Sequence, residues 1–273
     1  MPDLSLIISR WWIAILSFTG VVTTVAFLIL LLQPREYLST VTALPASSYA
    51  TDKARIFNNN IEQLYPSIGT ADDLDRVVGT AQLDTLYLAL VQEKGLVQHY
   101  KLNKANSYKA TRILRANTRV EKSEYGELKI KVWDKDPAMA AALANGLFAK
   151  LQALHQALQS QGNALVLQRL QDSYTHLQRS YTGGADSGSL NGDNVEISAI
   201  KRRNMQEQLT QYEKLIAEYN LMLHTNPHAL LVVESARPSV KADKPRVAQT
   251  LLFTAFASLL FGIFVAIALQ SRK

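Results

Sequence analysis

The chain has 273 residues with 29 basic and 23 acidic side chains, a net charge of +6 and no cysteine. The lack of cysteine excludes a disulfide scaffold and any thiolate-held metal, and fits an oxidising compartment. The charge is modest and scattered, and its only tight run, Lys201-Arg202-Arg203, has no aromatic residues interleaved, which excludes a nucleic-acid platform.

Residues 11–32 contain no charged side chain, and residues 247–269 are broken by few polar groups, Gln249 and Thr250 among them. Each stretch matches the ~20 residues a helix needs to cross a bilayer. The first is longer than the roughly 7–15 apolar residues of a signal-peptide core, and no small-residue cleavage site follows it closely. The second is apolar on every side for too long to be a core helix. Membrane helices are therefore expected at residues 11–33 and 247–269, with short tails at 1–10 and 270–273. Two spans put both ends on one side. Lys241, Lys244 and Arg246 flank the central loop against Arg10, Arg272 and Lys273 outside it, so the positive-inside rule is nearly balanced, and it does not govern so long a loop. In a bacterial inner membrane, this arrangement is expected to leave short cytoplasmic ends and the bulk of the chain in the periplasm. Trp11 and Trp12 stand as interfacial anchors. Gly20 and Thr24, and better Ser258, Gly262 and Ala266, are small residues four apart, a face that lets a helix approach closely.

After the first span, residues 37–44 alternate as a strand ended by Pro45. A helix is expected over 50–64, weakened by Asn58, Asn59 and Asn60. Thr70 with Asp73 forms a short capping box before a helix that buries Leu74, Val77 and Val78. Helices follow at 84–92, stopping near Gly95, and at 105–114, with a short turn or helix at 97–102 between them. Residues 116–121 read as a strand, and Tyr125-Gly126 as the turn of a hairpin.

Residues 127–158 are the pivot. Leu128, Ile130 and Val132 alternate with Lys129 and Lys131 as a strand, which stops at Asp-Lys-Asp-Pro. Asp136 is a helix cap and Pro137 suits the first helical position, where its missing N–H costs nothing. Behind it Ala140, Ala144, Leu147, Leu151, Leu154 and Leu158 are spaced 4, 3, 4, 3, 4, the stripe of a long helix with a partner helix. The stripe changes phase before Leu167, Leu170, Tyr174, Leu177 and Tyr181, and Gly162 at the slip predicts a bend or a break. Residues 182–194 form a glycine-rich loop. Met205, Leu209, Tyr212, Ile216, Tyr219 and Leu223 restore the stripe over 195–223, so the pair reads as an antiparallel coiled-coil hairpin. Closing that hairpin accounts for both seams; a self-associating surface at Tyr212 and Tyr219 is the sharper alternative. Residues 229–235 read as an apolar strand in mid-sheet, and Pro238 and Pro245 stiffen the approach to the second span.

Little here supports chemistry. His224 and His228 are four apart, but Pro227 intervenes and no glutamate occupies the metalloprotease position, so no metal site is expected. Asp134 and Asp136 could pair as acid and base, yet strand end and helix cap explain both. There is no Gly-x-Ser-x-Gly elbow and no phosphate-binding glycine loop. No catalytic residue and no cofactor are expected. The chain reads as a scaffold rather than an enzyme, and Lys201, Arg202 and Arg203 as a solvated helix face or a contact for glycan or partner.

The layout resembles the polysaccharide co-polymerases, the Wzz-like chain-length determinants of the bacterial inner membrane. The strand-Asp-x-Asp-Pro-x-x-Ala-Ala-x-x-Ala-Asn run at 130–145 carries the likeness. With it go the exit Leu231-Val232-Val233-Glu234-Ser235-Ala236-Arg237-Pro238, then Pro245 and Gly262. The resemblance implies an α+β membrane protein: a membrane-proximal α/β base at 34–136 completed by 225–246, and a protruding helical hairpin at 137–224. It further implies a ring-like homo-oligomer that sets the modal length of O-antigen or related surface polysaccharides, as in lipopolysaccharide biosynthesis, beside a separate polymerase and its lipid-linked glycan. Only four residues follow Leu269, so the tyrosine-kinase domain of some relatives is not expected. The alternatives are a membrane component of a polysaccharide export or secretion complex and, from a different class, a periplasmic sensor, which would need a partner for output.

Overall fold

The computed structural model describes residues 4–46, 71–103, 106–183 and 192–270. The expected helix at 50–64, the Thr70 cap and residues 184–191 of the expected loop lie outside these. Two compact units partition the chain: Met1–Ser39, Val132–Ala142 and Arg237–Lys273 form one, Thr40–Lys131 and Leu143–Ala236 the other.

The first unit holds the apolar helices. Helix α1 (Leu4–Leu32) takes in most of the expected tail as well as the span, and α8 (Val247–Gln270) is the last element. The two pack on each other through Ile15 and Ala266, with Trp11, Ile263 and Ile267 around them. Their outer faces stay bare: Leu32, Phe253 and Phe264 are all exposed. A core helix of a water-soluble body buries such side chains, so these two are membrane helices, with lipid as the missing neighbour.

The sheet has four strands among the described residues, in the order β2-β3-β1-β4. Strand β1 (Tyr37–Pro45) buries Ser39, Val41, Ala43 and Pro45 on alternate positions. Strand β2 (Thr118–Lys122) turns through Ser123–Glu127 into β3 (Leu128–Asp134), whose Leu128, Ile130, Val132 and Asp134 face inward. Gly126 takes φ +76 in that turn, where a Cβ would be strained. The strand expected from residue 116 begins at Thr118, because Ala116 still belongs to the preceding helix. Strand β4 (Leu230–Glu234) pairs antiparallel with β1, Leu44 opposite Leu231 and Pro45 opposite Leu230. It lies at the edge and not in mid-sheet: Val232 and Val233 are 48% and 56% exposed. Apolar composition alone does not say how many neighbours a strand has.

In the second unit, α2 (Ala71–Thr80) buries Leu74 and Val77 while Val78 is half-exposed. Helix α3 (Asp84–Glu93) ends before Gly95, which sits in the left-handed region, and a single turn α4 (Leu96–His99) leads on to α5 (Ser107–Ala116). Leu90, Leu96, Leu114 and Leu147 are among the fully buried side chains.

Helix α6 (Pro137–Gly183) runs for 47 residues without interruption, and α7 (Gly192–Thr225) follows. The break expected at Gly162 is absent. A mid-helix glycine costs about 1 kcal/mol relative to alanine, too little to break the run of hydrogen bonds on either side. Both helices also extend further than expected, into the predicted 182–194 loop. Tyr174 Oη donates to Glu213 (2.7 Å) and Ser160 Oγ to Asn226 (3.1 Å), so numbers fall along α6 as they rise along α7, the signature of an antiparallel pair. The seam is driest at one end, where Tyr219 and Met222 are buried. Met205, Leu209, Tyr212 and Ile216 are half-buried, and Leu158 is exposed.

Candidate functional site

Asp136 caps α6 with its Oδ1 accepting from Ala138 N–H at 2.9 Å, and Pro137 is the first helical residue. Asp134, buried at the end of β3, accepts in turn from the Asp136 N–H at 2.9 Å. Both carboxylates are thus committed to backbone donors, which suits a rigid strand-to-helix corner rather than proton transfer.

Around the feet of the two spans, the first unit forms a clasp that sequence reading missed. Glu36 and Lys244 form an antiparallel bridge, with Glu36 N–H donating to Lys244 O at 3.0 Å and Asp243 N–H to Glu36 O at 2.9 Å. Lys244 Nζ donates to Glu36 Oε2 at 3.2 Å and sits 4.5 Å from the centre of the Trp133 ring. The Trp133 indole donates to Asp243 Oδ2 at 2.8 Å, and Arg246 donates to Oδ1 at 2.9 Å. The indole bond above all, then Arg246 and Lys244, holds the Asp243 carboxyl below the usual carboxylate range against the opposing pull of desolvation. Pro245, joined to Lys244 by a cis peptide, stands at the entry to α8. The one local signal was Trp133 on the polar face of a strand otherwise lined there by lysines.

In the second unit, Asn145 of α6 holds Ala236 at both ends of its backbone. Asn145 Nδ2 donates to Ala236 O and Ala236 N–H donates to Asn145 Oδ1, each at 3.0 Å. Nearby along α6, His155 Nε2 lies 2.6 Å from Thr80 Oγ1, beside a cavity of about 380 Å³ lined by Asp73, Arg76 and Gln159. Thr80 Oγ1 also donates to Val77 O at 2.9 Å, one turn back in its own helix. Burial lowers the His155 pKa.

The remaining residues singled out by sequence fall as follows. On α8, Ser258 and Ala266 are buried, and a Cβ on Gly262 would stand 3.2 Å from Ile15 Cγ2 of the same chain's α1. Gly20 has open space where its Cβ would be. Pro238 is exposed. Lys201, Arg202 and Arg203 are exposed, and Arg203 pairs with Glu207 one turn on. Among the described residues no three His, Asp or Glu side chains gather as a metal site.

These features define a class: an α+β protein with a membrane helix at each end, a small sheet, and a long antiparallel helical hairpin. No family model matches the sequence, and a search of curated proteins finds no significant match. Among solved structures the chain is similar to a full-length bacterial polysaccharide co-polymerase, at 13% identity and a TM-score of 0.42, over 99% of this chain and 97% of that one. It is similar too to a fragment of WzzB, the polysaccharide co-polymerase of Salmonella Typhimurium, at 12% identity and a TM-score of 0.34, over 77% of this chain and 100% of that one. A mutant of the Shigella flexneri lipopolysaccharide O-antigen chain-length regulator WzzBSF matches at 12% identity and 0.40, over 76% of this chain and 100% of that one.

Proposed function

We propose that this chain is a non-enzymatic, oligomeric regulator of surface-polysaccharide chain length, held in the inner membrane with its bulk in the periplasm and working beside a separate polymerase. One observation carries the reading. The two stretches on which the family resemblance rests, 130–145 and 231–238, are far apart in sequence, and Asn145 of one grips Ala236 of the other through two hydrogen bonds. A motif pair that meets in space is a structural unit, not a chance of composition. The carboxylates of the same motif are occupied as caps, which favours a scaffold.

In this reading neighbouring copies pack side by side, and the ring presents repeated surfaces to the polymerase and its lipid-linked glycan. Deleting the gene and resolving the surface polysaccharide on a gel tests it: the modal length is lost, and an unchanged distribution refutes it. Loss of surface glycan with polymer retained inside the cell would point to export instead. Two further measurements bear on the parts. Native mass in nanodiscs should exceed one chain, and a thiol at Tyr125→Cys should label from the periplasmic side.

A further inference from the structure

Basic residues are scattered along the chain, but the excess of base over acid is not evenly spread. Of the 29 basic and 23 acidic residues, residues 95–120 contain six basic and no acidic ones, so the rest of the chain carries 23 of each. The whole excess of +6 falls in this stretch, which runs from α4 through α5 into β2. Two of these cations are neutralised locally: Arg115 by Asp84 of α3, and Arg119 by Glu121 of the same strand. Lys109 and Arg112 are exposed and have no carboxylate partner among the described residues.

Helix α5 sorts its residues cleanly. Ala110, Thr111 and Leu114 are buried, while Tyr108, Lys109 and Arg112 lie on the opposite face, Tyr108 one turn before Arg112. Tyr108 is 81% exposed and stacks on no other ring among the described residues, so its face is open to a ligand. We propose that this outer face of α5 is a docking surface for an anionic polysaccharide. The Tyr108 ring stacks on the apolar face of a sugar, and the Arg112 guanidinium, with Lys109 beside it, takes the carboxylate or phosphate carried by the repeat. A membrane-surface helix would keep its apolar face for lipid, but α5 has already buried its own in protein. A nucleic-acid strand needs a succession of aromatic platforms, and this face has one. The surface rests on the chain-length reading for its biological ligand and names that ligand's class as acidic.

The test uses the full chain in phosphatidylcholine nanodiscs, with a fluorescent oligogalacturonate of defined length and a neutral malto-oligosaccharide of equal length. Binding to oligogalacturonate that weakens with salt is expected, with none to the neutral sugar. Lys109→Gln/Arg112→Gln should weaken binding about tenfold or more, since a charge-assisted bidentate contact is lost. Tyr108→Ala should weaken it about threefold with an unchanged salt slope. Removing an equal or greater charge elsewhere, by Lys201→Gln/Arg202→Gln/Arg203→Gln, should change it less than twofold. All these residues are exposed, so thermal midpoints should match the parent. Unweakened binding by the α5 double variant, an equal loss in the Lys201–Arg203 control, or equal binding of the neutral sugar would overturn the proposal. So would displacement of the sugar by phosphatidylglycerol vesicles, which would make the surface a membrane contact. A cellular comparison separates the two readings. If deletion alters glycan length while the α5 variant neither alters it nor loses oligogalacturonate, the surface falls alone. If deletion changes nothing, the regulatory reading falls and the binding assay still judges the surface.

Discussion

Asn145→Ala should destabilise the second unit as much as many core truncations do. The side chain supplies one donor and one acceptor to Ala236, both at 3.0 Å, and Ala236 is only 7% exposed. Truncation strands a buried N–H and a buried C=O, each costing about 1–3 kcal/mol. Asn145 itself is half-exposed, so water recovers part of this, and alanine regains about 0.5 kcal/mol of helix propensity. The net loss is about 2–3 kcal/mol, which at about 2 °C per kcal/mol for a chain of this size lowers the thermal midpoint by roughly 4–6 °C. Circular dichroism of the detergent-held protein measures it. Asn145→Asp keeps the acceptor but turns a carboxylate toward the Ala236 carbonyl, and should fall as far. A midpoint within about 2 °C of the parent for Asn145→Ala would refute the reasoning, because it would mean the two bonds are absent in solution or replaced at no cost.

Two glycines of α6 should respond in opposite directions. A Cβ at Gly146 would meet Leu90 Cδ1 at 2.7 Å inside the core, so Gly146→Val should cost about 1–3 kcal/mol. Gly162 has open space, and Gly162→Ala should stabilise by about 0.5–1 kcal/mol; a loss there would contradict a regular helix through that point. In the membrane, Ile15→Cys/Ala266→Cys should oxidise to a cross-link within one chain, clean to read because the parent has no cysteine. Adding Gly262→Leu should suppress that cross-link by parting α1 from α8, and a cross-link found only between chains would place the contact elsewhere. Asp243 has a lowered folded pKa, so its contribution to stability is complete above the ordinary carboxylate range and is lost as pH falls through the lowered value. Trp133 emission in a Trp11→Phe/Trp12→Phe background should follow that loss in acid, and Asp243→Asn should flatten the profile; an identical acid limb in the variant would assign the transition to another group.

Much of the architecture was written in short-range patterns. The alternation of Leu128, Ile130 and Val132, the Asp136-Pro137 cap and the two long apolar runs each depend on residues a few positions apart. Strand pleat, helix cap and hydrocarbon thickness read such residues directly. The tertiary structure alone decided what depends on distant neighbours. It placed β4 at the sheet edge, since an apolar segment does not record how many strands flank it, and it carried α6 unbroken through Gly162, because one weak position is outweighed by the hydrogen bonds around it. It closed the Glu36–Lys244 bridge between residues 208 apart and set Trp133 against Asp243. No sequence period links such residues; only the folded chain brings their charges and rings within reach, and there the local rules end.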